Sequence, residues 1–300
     1  MLKEFFVPCK IKAFLFLMRE VGLSQKESQR YIARGRLFVG GRPMTDPAAV
    51  IEGSVQCVLF VPVSRGIEPV FITNSFALYD KPSGVLVHPQ NRNTDHCMID
   101  EIRDRFGSAA NIVHRIDQET SGLLLAAVDK ASERTLKLIF ENREIEKRYL
   151  ALVHGRVGND LIIDAPLVRR QSDSALVRMI VKVHEEGKPS KTYVRPLRYF
   201  GDLDMTLIEA KPLTGRQHQI RVHLFHVKHP IVGDPIYGQS DADILRFLDR
   251  ELRAEERIEM SGASRLLLHA NTLEFTFEGV RYKLKSRTDF LEDAFQAMSI

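Results

Sequence analysis

From Ser121 to Val128 the chain reads Ser-Gly-Leu-Leu-Leu-Ala-Ala-Val, apolar from Gly122 onward and without alternation. A run of this length with no wet face predicts a buried strand, and everything around it must be arranged to cover it. Downstream, Ala131 to Arg143 has helical spacing and Arg148 to Val153 reads as a strand. Ala175 to Val183 and Leu203 to Ile208 alternate as half-buried strands, and Gln217 to Val227 returns to helical spacing. The order of elements predicts an α+β fold with a mainly antiparallel mixed sheet flanked by helices. Asp241 to Glu259 is charged, with Ile244, Leu248 and Leu252 in helical register, and reads as one surface helix without a chemical role.

The chain has 300 residues, enough for two domains. Hydrophobic residues make up 44% and charged residues 27%, which predicts a packed protein rather than a disordered one. Cys9, Cys57 and Cys97 lie far apart and are odd in number. They argue against a disulfide framework or a four-cysteine zinc site and fit a reducing, cytoplasmic setting. Ala13 to Met18 is the most apolar N-terminal stretch, but it is too short for a signal-peptide core and runs into Arg19-Glu20, so no membrane segment is expected. The net charge of +4 is unevenly placed: residues 1–60 carry nine Lys or Arg against five Asp or Glu, and the remainder carries 34 of each sign. A small basic module before a balanced body points to a polyanionic partner.

Within that module, Phe14, Leu15, Met18 and Val21 share a helical face. Gly22 ends the helix, and Ser24 caps a second one that stops near Gly35. Arg36 to Val39 reads as a strand, Gly40-Gly41 as a turn, and Val50, Gly53 and Val55 to Phe60 as a closing strand pair. Gly22-Leu23-Ser24, Ile32-Ala33-Arg34-Gly35, Val39-Gly40-Gly41 and Val50-Ile51-Glu52-Gly53 make residues 1–62 similar to the small RNA-binding module of a bacterial ribosomal small-subunit protein. The chain departs from it at Lys10 to Ala13, where Arg-Leu-Asp is usual, and at Gly40, where Asn is usual. The resemblance implies a small N-terminal α/β RNA-binding domain with Arg30, Arg34 and Arg36, beside Lys26, on one helix face against phosphates. Pro, Ser and Gly then mark residues 63–72 as a linker to a body at 73–300.

Three segments of the body place charge against apolar strands. Val113-His114-Arg115-Ile116-Asp117-Gln118-Glu119-Thr120 is a polar turn directly before the apolar run. Rigid structure holds a carboxylate there, as catalysis requires, but by spacing alone Asp117 serves equally as a turn cap. In Gly215 to Leu224, Arg221 sits between Ile220 and Val222; a buried Arg needs a carboxylate, and Asp117 is the candidate. In Glu146-Lys147-Arg148-Tyr149, Tyr149 precedes a buried strand and by itself reads as a core residue.

Together these segments resemble the RluA-type pseudouridine synthase family. The family's His-Arg-Leu-Asp, two variable residues and Thr-Ser-Gly-Leu-Leu-Leu is matched at 114–125 with Ile116 for Leu. Its Glu-Lys-x-Tyr is matched at 146–149, and its Gly-Arg-x-His-Gln-Ile-Arg-Val-His at 215–223. Asp80 to His88, Gly233 to Gly238 and Leu268-His269-Ala270 follow in family order, while Lys228 stands where Gly is common. The resemblance implies a pseudouridine synthase fold in the catalytic domain at 73–300. It also implies isomerisation of uridine to pseudouridine in structured RNA. That reaction gains and loses no atoms and so calls for neither cofactor nor metal.

Asp117 would act on the sugar carbon C1′ as nucleophile, or take a sugar proton. Arg221 would pair with Asp117, and Tyr149 would lie against the uracil. Arg115 would fill the space that the flipped base leaves. Lys81 would touch RNA backbone or hold the Pro82 turn. The expected partner is structured RNA, large-subunit ribosomal RNA before transfer RNA, with a monomeric protein and no membrane. Two rivals compete. One is a zinc hydrolase using His218, His223, His226 and His229, which repeat along one stretch but lack a Cys or Glu at ligand spacing. The other is a non-catalytic RNA-binding or ribosome-assembly factor, against which stands the retention of Asp117, Tyr149 and Arg221.

Overall fold

The computed structural model describes residues 2–59, 62–90, 94–169 and 180–299. It divides into two compact units, Met1–Pro62 and Val63–Ile300.

The first unit contains β1 (Leu2–Lys12), α1 (Ala13–Glu20), α2 (Gln25–Ala33), β2 (Leu37–Val39), β3 (Arg42–Met44) and β4 (Val50–Val58). Its strands form an antiparallel sheet in the order β1-β4-β2-β3. The sheet and the two helices close on a core that includes Val7, Phe16, Leu17, Ile32, Leu37, Ile51 and Val55. The buried face of α1 is Ala13, Phe16 and Leu17, one step round the helix from the face read in the sequence. Ser24 caps α2 in a full capping box with Glu27, a device that contributes about 1 kcal/mol. Gly40 and Gly41 both have positive φ, 55° and 73°. The β2–β3 turn demands that conformation at both central positions, which is why Asn or Gly suits position 40. Arg30 lies on α2, but Arg34 is its C-cap and Arg36 precedes β2. The three arginines are exposed, yet only Arg30 lies within α2, so they do not share one helix face.

The second unit carries a ten-stranded sheet. Its path runs β10 (Leu161–Asp164), β13 (Lys191–Phe200), β14 (Met205–Pro212), β9 (Ile145–His154), β15 (Leu268–Phe277), β8 (Ser121–Ala127), β6 (Phe76–Lys81) and β5 (Pro69–Ile72). β16 (Val280–Lys285) joins β15, and β7 (Asn111–Ile112) joins β8. Every pairing is antiparallel except β15 with β8, so the fold is the mixed, mainly antiparallel α+β sheet expected. The apolar run is β8, buried at all seven positions. Helices α4 (Lys130–Glu141), α5 (Gln219–His226) and α8 (Phe290–Met298) share one core with Leu78, Leu123 and Leu125, while α3 (Met98–Phe106) packs in a second with Tyr79, Leu124 and Ala126.

The single helix expected over 241–259 is two, α6 (Asp241–Leu248) and α7 (Ala254–Ser261), interrupted where Arg250 takes a left-handed φ of 60°. The strand expected at 175–183 falls mostly outside the described residues. Its end, Val181–Val183, is β12, paired with β11 (Leu167–Arg169). Residues 63–72, read as a linker, carry structure: Ser64 Oγ and the Arg65 N–H donate to Glu101 at 2.6 and 2.7 Å, and β5 pairs with β6.

One glycine sets the close approach of the sheet's centre. Gly122, opposite Ala270 in the parallel pair, has φ 102°, and a Cβ there would lie 2.4 Å from the Ala270 carbonyl oxygen. Only glycine lets β8 start hard against β15, and the turn before β8 is thereby fixed. Lys228, where the family commonly has Gly, holds φ 68°, which gives the family's preference a conformational reason.

Candidate active site

The polar turn 117–120 is fastened mainly through its backbone. The Thr120 N–H donates to the Asp117 carbonyl at 3.2 Å, and the Gly84 N–H to that of Gln118 at 2.9 Å. Ser83 Oγ donates to the Glu119 carbonyl at 2.6 Å. Lys81 is 1% exposed, and its ammonium donates to the carbonyls of Pro82, Val85 and Gln118 at 2.8–2.9 Å. Burial pushes its pKa down to about 7, against the pull of Glu119 and Asp117. Lys81 therefore cannot reach RNA; it ties the turn after β6 to the turn before β8. On the outer side, Arg257 of α7 donates to Glu119 at 2.9 Å, so the charged 241–261 segment does bear on the site.

His114 sits upstream of this turn. Its Nε2 accepts the Leu125 N–H at 3.0 Å while the ring stacks on Phe140, centroids 4.7 Å apart. Burial, with Lys147 nearby, pushes its pKa down to about 3, so the ring is neutral and structural.

The turn presents the Asp117 side chain, 27% exposed, toward α5. Among the described residues no backbone N–H bonds its carboxylate, so Asp117 is not spent as a turn cap. Arg221 approaches it, Nη1 to Oδ2 at 3.5 Å, but the main partner of Arg221 is another acid. Its Nε and Nη2 donate bidentately to Asp234 at 2.7 and 2.8 Å, with the two side chains 2% and 1% exposed. Asp234 is held ready by the N–H groups of Ile236 and Tyr237 at 2.9 and 3.0 Å. Its pKa is lowered because Arg221 and these donors outweigh the burial that opposes them. The expected Asp117–Arg221 pair is therefore present, but as the longer of two contacts, with Asp234 the closer, bidentate partner. A carboxylate whose Oδ1 is already fixed by two backbone donors matches the fork of the guanidinium, and only Nη1 is left for Asp117.

His218 completes the surroundings. Its Nδ1 lies 2.9 Å from the Tyr237 hydroxyl, which accepts the Val181 N–H. The hydroxyl proton then goes to Nδ1, and Nε2 carries the ring proton toward Asp117 Oδ2, 4.0 Å away. Burial, reinforced by Arg221, pushes its pKa down to about 4. The four histidines weighed as a zinc face go separate ways. His223 contacts Thr192 and the Ala165 carbonyl, His229 contacts the His154 carbonyl, and His226 is exposed.

Tyr149, on β9, is 9% exposed, and burial followed by the Asp117 charge raises its pKa. It lines a small cavity of about 90 Å³ together with Asp117, Arg115, His218 and Arg221. That is far below the few hundred Å³ of a drug-sized site, and it suits a single flat ring. Arg115 is exposed at its mouth. The cavity opens on a groove of about 890 Å³ between β9, β14 and the 213–216 loop. The fold thus brings Asp117, Tyr149, Arg221 and Arg115 together, sets Lys81 behind them, and leaves Arg30, Arg34 and Arg36 in the first unit. Sequence reasoning missed Asp234, Tyr237 and Arg257, and weighed His218 only as a zinc ligand. Asp234 had a signal, since a buried Arg needs an acid and Gly233 to Gly238 was already a conspicuous motif.

Residues 75–226 match the profile of the RNA pseudouridylate synthase family. The chain belongs to that family. An uncharacterized RNA pseudouridine synthase of Helicobacter pylori J99 is 38% identical over 273 residues, 91% of this chain and 90% of that protein. The ribosomal large subunit pseudouridine synthase C of Vibrio cholerae is 35% identical over 219 residues, 72% of this chain and 63% of that protein. Among solved structures, human RNA pseudouridylate synthase domain containing 1 superposes with a TM-score of 0.59 at 26% identity, covering 78% of this chain and 89% of that one. This RNA pseudouridine synthase is therefore an isomerase of uridine in RNA.

Two of the buried neutral histidines, His114 and His218, give the enzyme a pH signature. Their folded pKa values, about 3 and about 4, lie below the ordinary 6.5. The unfolded chain takes up protons first, so the stability they contribute is complete above pH 6.5 and is lost as pH falls toward 4. Each should remove about 1 kcal/mol per pH unit in that window. Thermal unfolding followed by circular dichroism should show a falling melting temperature from pH 6.5 to 4, flattened in a His114→Gln/His218→Asn variant. Equal slopes in the two proteins would overturn the assignment.

Proposed function

We propose that the enzyme modifies large-subunit ribosomal RNA, with Asp117 as the catalytic carboxylate. The observation that carries the reading is the Asp117 carboxylate, 27% exposed, at a ring-sized cavity. It is walled by Tyr149 and backed by a cation already matched by Asp234. A uridine flipped from its helix stacks on Tyr149, and Arg115, exposed at the mouth, fills the vacated place. Asp117 then meets the ribose as the glycosidic bond breaks, acting on C1′ or on a sugar proton. Tyr149 borders the ring while the base turns. Ribosomal RNA is favoured by the name of the Vibrio cholerae relative and by the basic first unit, whose Arg30, Arg34 and Arg36 would bind phosphates. Transfer RNA is the second reading. A monomer in the cytoplasm is expected; among the described residues no helix is long and apolar enough to cross a membrane.

The test is to map pseudouridines in ribosomal and transfer RNA from cells with and without the gene. One or more large-subunit sites should vanish in the deletion strain and return with the wild-type gene. Loss confined to transfer RNA would move the substrate there, and no loss anywhere would defeat the proposal.

A further inference from the structure

The groove beyond Tyr149 is lined by six cations, Arg115, Arg143, Lys147, Lys211, Arg216 and Arg281, and they are not equivalent. Lys211 is bound to Glu146, which also holds Arg148, and Arg281 is bound to Glu274. Arg115, Arg143, Lys147 and Arg216 have no carboxylate within ion-pair distance among the described residues. Arg216 has only carbonyl company, its Nε 3.4 Å from the Pro189 oxygen. Glu141 and Glu144, the remaining acids of the groove, are exposed.

Lys147 is the unusual member. It is half-buried, and burial lowers its pKa with no opposite charge to offset it among the described residues. A desolvated ammonium without a counter-ion is a standing cost, relieved only when an anion arrives. It stands two residues before Tyr149 on β9, so both point from the same face of the strand, about 7 Å apart along it. Lys147 also lines both the small cavity and the groove. An RNA whose uracil rests on Tyr149 carries its backbone from the cavity into the groove, past this amine.

We infer that Lys147, with Arg143 and Arg216, grips the phosphates flanking the flipped uridine, and that Lys211 and Arg281, neutralised by their own carboxylates, do not. The inference rests on the RNA-modifying role of the Asp117 site. It adds a selection among cations that net charge alone would treat alike: a paired cation has no charge to spare for a phosphate and releases no counterion.

The experiment measures kcat and KM of the full-length enzyme on an unmodified large-subunit ribosomal RNA transcript between 50 and 200 mM salt. Lys147→Met should raise KM about tenfold, the worth of one charged contact, with kcat nearly unchanged. It should also make the slope of log(kcat/KM) against log salt shallower by about 0.7–0.9, the counterions of one phosphate. Lys147→Arg should restore both. Arg281→Met, the paired control in the same groove, should change neither. An unchanged slope in Lys147→Met, an equal change in Arg281→Met, or a fall in kcat alone would overturn the inference while leaving the enzyme a ribosomal RNA synthase. A wild-type enzyme inert on ribosomal and transfer RNA transcripts would instead overturn the functional reading and this inference with it. Melting temperatures of the variants separate misfolding from lost contact.

Discussion

Asp117→Asn should give a folded, RNA-binding protein that forms no pseudouridine. Asparagine keeps the shape of the side chain and removes its charge. Because Arg221 is held by Asp234 at 2.7 and 2.8 Å, neutralising Asp117 leaves no buried cation unmatched. Stability should therefore stay within about 1 kcal/mol of wild type, since the Asn carboxamide oxygen can still accept the long Arg221 contact. Turnover should fall by at least about 10⁴-fold, the scale of losing the reacting group of a catalytic unit. The check is pseudouridine formation on an unmodified large-subunit transcript beside a denaturation curve. Activity within tenfold of wild type would remove Asp117 from the chemistry.

Asp234→Ala should do the reverse in the first instance. It strands the Arg221 guanidinium, 2% exposed, without its bidentate partner. Breaking a buried pair from one side costs about 3–5 kcal/mol, so the midpoint of chemical denaturation should drop sharply. The double variant Arg221→Met/Asp234→Leu removes both charges and fills much of the space. It should regain most of the stability, since apolar replacement of a buried pair is often neutral or better. It should not regain activity, because no cation is left beside Asp117. The two experiments together settle which acid belongs to Arg221. If Asp117→Asn proved the more destabilising change, the pairing described here would be wrong.

That pairing also marks the boundary of what the sequence discloses. β8, α4, β9 and α5 were legible because each buries a regular face, so periodicity and composition report it directly. β1 was not: of its eleven residues only Val7 is buried, and Pro8 falls where the β1–β4 register shifts. The break between α6 and α7 depends on the left-handed φ of Arg250, a conformation no residue type announces except glycine. At the site, the motif residues Asp117, Tyr149 and Arg221 could be named, and the need of Arg221 for an acid could be argued. Which acid it takes is decided by the angle at which the 233–238 turn meets α5, a property of tertiary geometry. Lys81 was left open between RNA backbone and the Pro82 turn for a related reason: its burial shows only once the three carbonyls that surround it are seen.

Those carbonyls have an evolutionary consequence. Lys81 holds the Asp117 turn by oxygen atoms that every amino acid possesses, and Ser83 and Gly84 do the same. The backbone path of the turn is thereby set by its own carbonyls, and the side chains of Gln118 and Glu119 add only outer ties, to the Gly84 carbonyl at 3.0 Å and to Arg257 at 2.9 Å. If those two positions change together with their outer partners, the face offered to different RNAs changes with them, while the Asp117 carboxylate stays in place. A lineage built this way can acquire new targets without having to reinvent its reaction.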